Sequence, residues 1–194
     1  MSGIQPFYTV AGFAVGMLVG LTGVGGGSLM TPILIMLFGV HPATAVGTDL
    51  LYAAATKTAG SLVHGYNRTV DWRVVRRLAS GSVPMTVLTI WALSFINING
   101  AAARELIAGV LTLALFATAL MLVLRERIAT RYAAAVGKLS PQRVATLTVI
   151  VGGILGVLVS ISSVGAGALG VTAIILLYPR LRTARIVGSD IARR

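Results

Sequence analysis

Gly20-Leu21-Thr22-Gly23-Val24-Gly25-Gly26-Gly27-Ser28 interrupts an apolar segment that extends from Tyr8 to Phe38. Tyr8 to Leu21 and Leu29 to Phe38 both read as helix. Each arm is too short for the roughly 20 helical residues needed to cross about 30 Å of hydrocarbon. The two arms are therefore either one broken crossing or a re-entrant hairpin, before Gly39-Val40-His41-Pro42 turns the chain. The same pattern returns as Ser160-Ile161-Ser162-Ser163-Val164-Gly165-Ala166-Gly167-Ala168, inside the apolar stretch Val144 to Tyr178.

Composition says what kind of solvent these segments meet. The 194 residues are 56% hydrophobic and only 11% charged, with a mean hydropathy of +0.91, which is more apolar surface than a soluble domain of this size buries. The expected class is an all-α polytopic membrane protein. The net charge of +11 sits in short loops between apolar stretches, so it reads as a topology signal and not as a nucleic-acid surface. The absence of cysteine excludes disulfides, thiol catalysis and thiolate metal sites. Met1 to Pro6 has no positive n-region and no small-x-small cleavage site follows the first apolar run, so no cleaved signal is expected.

Between the two breaks, the residues from Ala43 to Gly65 form a span with a polar seam. At 100° per residue Asp49, Thr56, Lys57, Gly60 and His64 share an arc of about 100°. A charge at bilayer centre costs roughly 2.5 to 3.5 kcal/mol on the insertion scale, so the seam, with Thr48 beside it, is expected to face helices or water. Asn67 to Arg77 is a basic loop in which Asp71 is placed to cap a helix running to Phe95, Trp72 to anchor it at the interface and Pro84 to kink it. Asn97 to Ala103 is a turn, and Leu106 to Leu124 is the cleanest span.

Shifting the sequence by 140 residues aligns Gly12 with Gly152, Gly16 with Gly156, Val24-Gly25 with Val164-Gly165 and Gly27 with Gly167; with one further residue, Val46-Gly47-Thr48-Asp49 matches Val187-Gly188-Ser189-Asp190. Leucines and valines match by composition, but an aspartate at the same place argues for duplication. The expected layout is a first repeat over residues 1–124, a basic cytoplasmic linker over 125–143 and an incomplete second repeat over 144–194, ending a few residues into a helix. Charge counting puts the 67–77 and 125–143 loops in the cytoplasm and 97–103 outside. The three arginines of Pro179 to Arg185 fall in the cytoplasm only if the broken segments are re-entrant, so the repeats are expected to be inverted.

Unwound backbone survives in hydrocarbon only where protein buries it or it lines a wet cavity. Paired interrupted helices mark midplane substrate sites, and free N–H groups at a half-helix start attract anions. This assigns a small anionic substrate to Thr22, Gly25, Gly26, Gly27 and Ser28 in the first break and to Ser162, Ser163, Gly165 and Gly167 in the second. Gly12, Gly16, Gly20, Gly152, Gly156 and Ser160 read instead as small-xxx-small packing seams. Thr48, Asp49, Lys57, His64, Ser189 and Asp190 are candidates for ion coupling; for Asp49 and Asp190, capping of helices starting at Val46 and Val187 is an equal alternative. A phosphate loop is excluded because no strand precedes the glycines and no Lys-Ser/Thr follows them. No metal or cofactor is expected, since no His/Asp/Glu cluster has ligand spacing.

Gly12-x-x-x-Gly16 with Thr22 to Ser28 and Pro32, Ala45-Val46-Gly47-Thr48, His64 with Val70-Asp71-Trp72, and Ser163 to Gly167 with Leu177-Tyr178-Pro179 and Val187 to Ala192 together resemble the TauE/SafE group of sulfite exporter-like permeases. That resemblance implies a plasma-membrane protein moving small sulfur-containing or carboxylate anions, not an enzyme, and a chain longer than this one. Three readings follow: a secondary permease; a partial, non-transporting subunit that needs a homo-oligomer or another chain to complete the second repeat; and, more weakly, an intramembrane enzyme using Asp49, Lys57 and His64.

Overall fold

In the computed structural model, which describes residues 6–22, 25–66, 70–96, 100–136, 139–165 and 167–178, the described residues are helical with short connections. The helices are α1 (Pro6–Thr22), α2 (Met30–Met36), α3 (Pro42–Tyr66), α4 (Trp72–Ser94), α5 (Ala101–Val136), α6 (Pro141–Ser162) and α7 (Ala168–Leu177), with a 3-10 turn at Gly26–Ser28 before α2.

The ends obey local chemistry. Asp71 accepts hydrogen bonds from the backbone N–H of Arg73 (3.0 Å) and Val74 (3.4 Å), capping α4. Ser140 accepts one from Arg143 (3.4 Å), with Pro141 in the first turn of α6 where a missing N–H costs nothing. Ala101–Leu124 and Pro141–Ser162 are long and apolar enough to cross a membrane. α5 is continuous through Val136, so the basic stretch that begins at Arg125 starts as an extension of that helix.

α4 and α6 form the tightest pair, and glycine allows it. A Cβ on Gly152 would overlap the Leu78 carbonyl, one on Gly81 would overlap the Val149 carbonyl, and one on Gly156 would lie 2.6 Å from the Ser82 carbonyl. Backbones this close are the small-residue packing expected in a bilayer, where lipid offers apolar groups no worse a neighbour than protein does. Packing was the reading for Gly152 and Gly156, and the geometry agrees. Among the described residues Gly12 and Gly20 have nothing within 4 Å of such a Cβ, so they make no such packing contact there. The pairing rises in step, Leu78 with Gly152 and Ser82 with Gly156, so α4 and α6 run parallel.

α7 doubles back. Its C-cap Tyr178 hydrogen-bonds Thr148 near the start of α6 (2.9 Å) and accepts from Arg77 near the start of α4 (3.2 Å). Ile174 packs between Val74 and Leu78 in the same region. The second break is therefore the apex of a hairpin whose returning arm ends about two turns short of the start of α6. Sequence left hairpin and through-crossing open, and for α6 and α7 the hairpin is what forms.

Candidate functional site

The apex of that hairpin meets the first break. Gly25 and Gly165 have φ of +97° and +100°, a left-handed region that glycine enters without a Cβ clash. Ser163 ends α6 at φ +59°, with its N–H donating to the Val159 carbonyl at 2.8 Å. These reversals bring backbone against backbone. A Cβ on Gly25 would stand 3.2 Å from the Gly167 nitrogen, and one on Gly27 would overlap the carbonyl of Ser163.

Asp49 lies at the crossing. It is 1% exposed, and its Oδ2 accepts from Thr31 Oγ1 of α2 (3.2 Å) and from Ser163 Oγ of the second break. The carboxylate also abuts the glycines, 3.5 Å and 2.9 Å from where Cβ atoms of Gly26 and Gly27 would be. Three segments far apart in sequence are thus tied through one side chain. Lys57, two turns further along α3, exerts an electrostatic attraction on it. A buried carboxylate needs such partners, because an uncompensated charge in a dry interior is costly.

The capping alternative for Asp49 fails. α3 begins at Pro42, not Val46, and Asp49 is inside it, accepting from other elements. Several expected contributors face elsewhere. Ser28 Oγ donates to the Gly25 carbonyl (2.8 Å), and Ser162 Oγ to the Leu158 carbonyl (2.7 Å) while accepting from Val164 N–H (3.3 Å). Both hydroxyls hold their own loop in shape. Thr48 is exposed and donates to Thr44 of its own helix (2.8 Å), and Thr56 is likewise exposed and bonded to its own helix. Asp49, Lys57 and Gly60 keep the buried or half-buried side of the seam. Thr22 closes α1 and His64 lies in the last turn of α3. Ser189 and Asp190 lie outside the described residues. Thr31 was not foreseen; its signal is a lone hydroxyl in an otherwise apolar arm, three residues past Ser28.

Beside the second break a cavity of about 330 Å³ opens between α3, α4 and α6. Lys57, Thr58, Ser82, Thr86 and Ser160 are its polar lining, and the rest is apolar. This volume is at the small end of ligand pockets.

The model of the sulfite exporter TauE/SafE family matches residues 8–192, which is nearly the whole chain. The chain belongs to that family. It is 37% identical over 182 residues to a probable membrane transporter protein, YjnA, of Bacillus subtilis (strain 168), covering 93% of this chain and 71% of the relative. A second protein of that organism, the probable membrane transporter protein YunE, is 39% identical over 70 residues, 36% of this chain and 26% of the relative. No solved structure matches. The family and the two apolar helices make this a membrane transporter in class, a membrane protein as the composition implied, and relatives named as transporters accord with a role in transport and not catalysis.

Proposed function

We propose that this chain is a multi-pass permease of the plasma membrane that moves a small anion, sulfite or an organosulfonate, by secondary transport. The observation that carries the reading is the meeting of the two glycine breaks around Asp49 and Ser163, with Thr31 on the third side. Unwound backbone and hydroxyl donors in one place suit a midplane anion site, and the buried carboxylate among them supplies a group for ion coupling. The cavity between α3, α4 and α6, whose wall includes Lys57 and Ser160, is where we place the anion's approach.

The second element of the proposal is an inverted duplication. Gly25 and Gly165, which the 140-residue shift aligns, have nearly the same positive φ, and the α6–α7 hairpin is the re-entrant form that inversion calls for. In this reading the partners are the bilayer and the anion, and no cofactor takes part.

The test is flux. The purified chain reconstituted in liposomes should carry labelled sulfite or methanesulfonate down an imposed gradient at a rate above protein-free vesicles. A chain that moves neither, while remaining folded by circular dichroism, would sink the permease reading.

A further inference from the structure

We infer that Asp49 is a built-in anion holding the place of the transported one, so that an anion enters the crossing only as Asp49 takes up a proton, and one proton moves with each anion. This rests on the permease reading above and names its coupling ion.

The groups expected to receive an anion are already occupied. Asp49 lies against Gly26 and Gly27, and takes hydroxyl donors from both Thr31 and Ser163 on one oxygen, Oδ2. A serine or threonine hydroxyl has a single donor that rotates to suit its neighbour, so each serves either Asp49 or a substrate oxygen. An ionised Asp49 and a second anion in contact would repel strongly in a site shielded from water.

The other carboxylate oxygen shows where relief comes from. Oδ1 is buried and, among the described residues, has no hydrogen-bond partner. A proton needs only that one oxygen. A hard metal cation needs a cage of several oxygens, and among the described residues no three Asp, Glu or His side chains gather to supply one.

The charges of the described residues around the crossing argue for the stoichiometry. Among the described residues α1, the Gly26–Ser28 turn, α2 and α7 contain no Asp, Glu, Lys, Arg or His. α6 contributes only Arg143, in its first turn and far from Ser163; α4 has its arginines at 73, 76 and 77, beside the start of α6; and α5 has its ionisable residues at 104, 105 and from 125 onward. On α3 the charged residue besides Asp49 is Lys57, with His64 a further two turns away, and His41 stands in the turn before α3, eight residues ahead of Asp49. One ammonium balances one negative charge. With Asp49 ionised the balance is met from within, and with Asp49 protonated it is met by one substrate anion.

The measurement is anion affinity against pH, read by thermal shift on the full chain in detergent. Choline methanesulfonate is the probe, because its acid is too strong to titrate in the range used. The expected result is affinity rising about tenfold for each unit that pH falls, as one linked proton requires. Asp49→Asn keeps the shape and an acceptor for Thr31 and Ser163, and should bind with no pH dependence. Binding by the unaltered chain that ignores pH would overturn the inference and leave the permease intact. So would a pH dependence that survives in Asp49→Asn, or a dependence on added sodium in place of pH. Absence of binding at every pH, together with absence of flux, would instead remove the permease reading on which this one stands. If Asp49→Asn does not fold, liposomes with a trapped pH dye decide the matter: methanesulfonate entry through the unaltered chain should acidify the lumen, and entry without acidification overturns the coupling.

Discussion

At the scale of single residues, the crossing separates glycines that must be glycine from glycines that need not be. Gly27→Ala drives a methyl group into the Ser163 carbonyl and toward the Asp49 carboxylate, and overpacking of this kind costs about 1–3 kcal/mol. Gly12→Ala, in α1 with open space around it, should leave stability unchanged or slightly raised, since alanine favours helix. Thermal unfolding followed by circular dichroism distinguishes the two, and equal effects would mean the breaks do not touch. The hydroxyls divide in the same way. Ser163→Ala strips a buried carboxylate of a donor and is expected to cost about 1–3 kcal/mol. Thr48→Ala removes an exposed hydroxyl bonded to its own helix and should stay within about 0.5 kcal/mol. Asp49 and Ser163 both stood out in the sequence, as an ionisable group in an apolar span and a polar cluster in a helix break. Their meeting did not, because 114 residues separate them and only tertiary packing closes that distance. Thr31 was hard to pick out for a related reason: Thr48, Thr58 and Thr172 spend their hydroxyls on the carbonyl four residues back, and sequence does not distinguish them from one that reaches another helix.

At the scale of elements, the helices and their breaks were legible because the signals are local. Glycine in an apolar run and Asp71 before Trp72 each act within a turn of where they stand. The partnership of α4 with α6 was not legible, although its glycines were. Gly152 and Gly156 announced a close approach without naming the helix that approaches, and Gly81 on α4 was not singled out at all. That contact predicts its own test. Gly152→Val places a branched side chain against the Leu78 backbone, and it should destabilise the protein by about 1–3 kcal/mol or more. The same substitution at Gly109, on α5 with nothing within 4 Å, should be tolerated. The hairpin arm α7 has a polar latch at its tip. Tyr178→Phe removes the hydroxyl shared with Thr148 and Arg77, a loss of about 1 kcal/mol, and protease or hydrogen-exchange protection should fall in α7 before it falls in α5.

At the scale of the whole molecule, charge and geometry constrain the same quantity by independent routes. In the proposed topology the arginine-rich loops hold the start of α4 and the start of α6 in the cytoplasm, and the parallel packing of those two helices requires them to begin on one side whichever side that is. The return of α7 to Thr148 and Arg77 then brings Tyr178 to that side as well. A through-crossing would instead bring Tyr178 out beside Ile96 at the far end of α4. The sequence contains no cysteine, so single cysteines introduced at Trp72, Ser140, Tyr178 and Ile96 report without background. In intact cells an impermeant maleimide should react with the cysteine at Ile96 alone, and those at Trp72, Ser140 and Tyr178 should become reactive together once the membrane is opened. Labelling of Tyr178→Cys with Ile96→Cys from outside would make α6 and α7 a single broken crossing in the membrane. The two repeats would then be parallel, and the meeting of the breaks at Asp49 would need a different origin from the pairing of inverted halves.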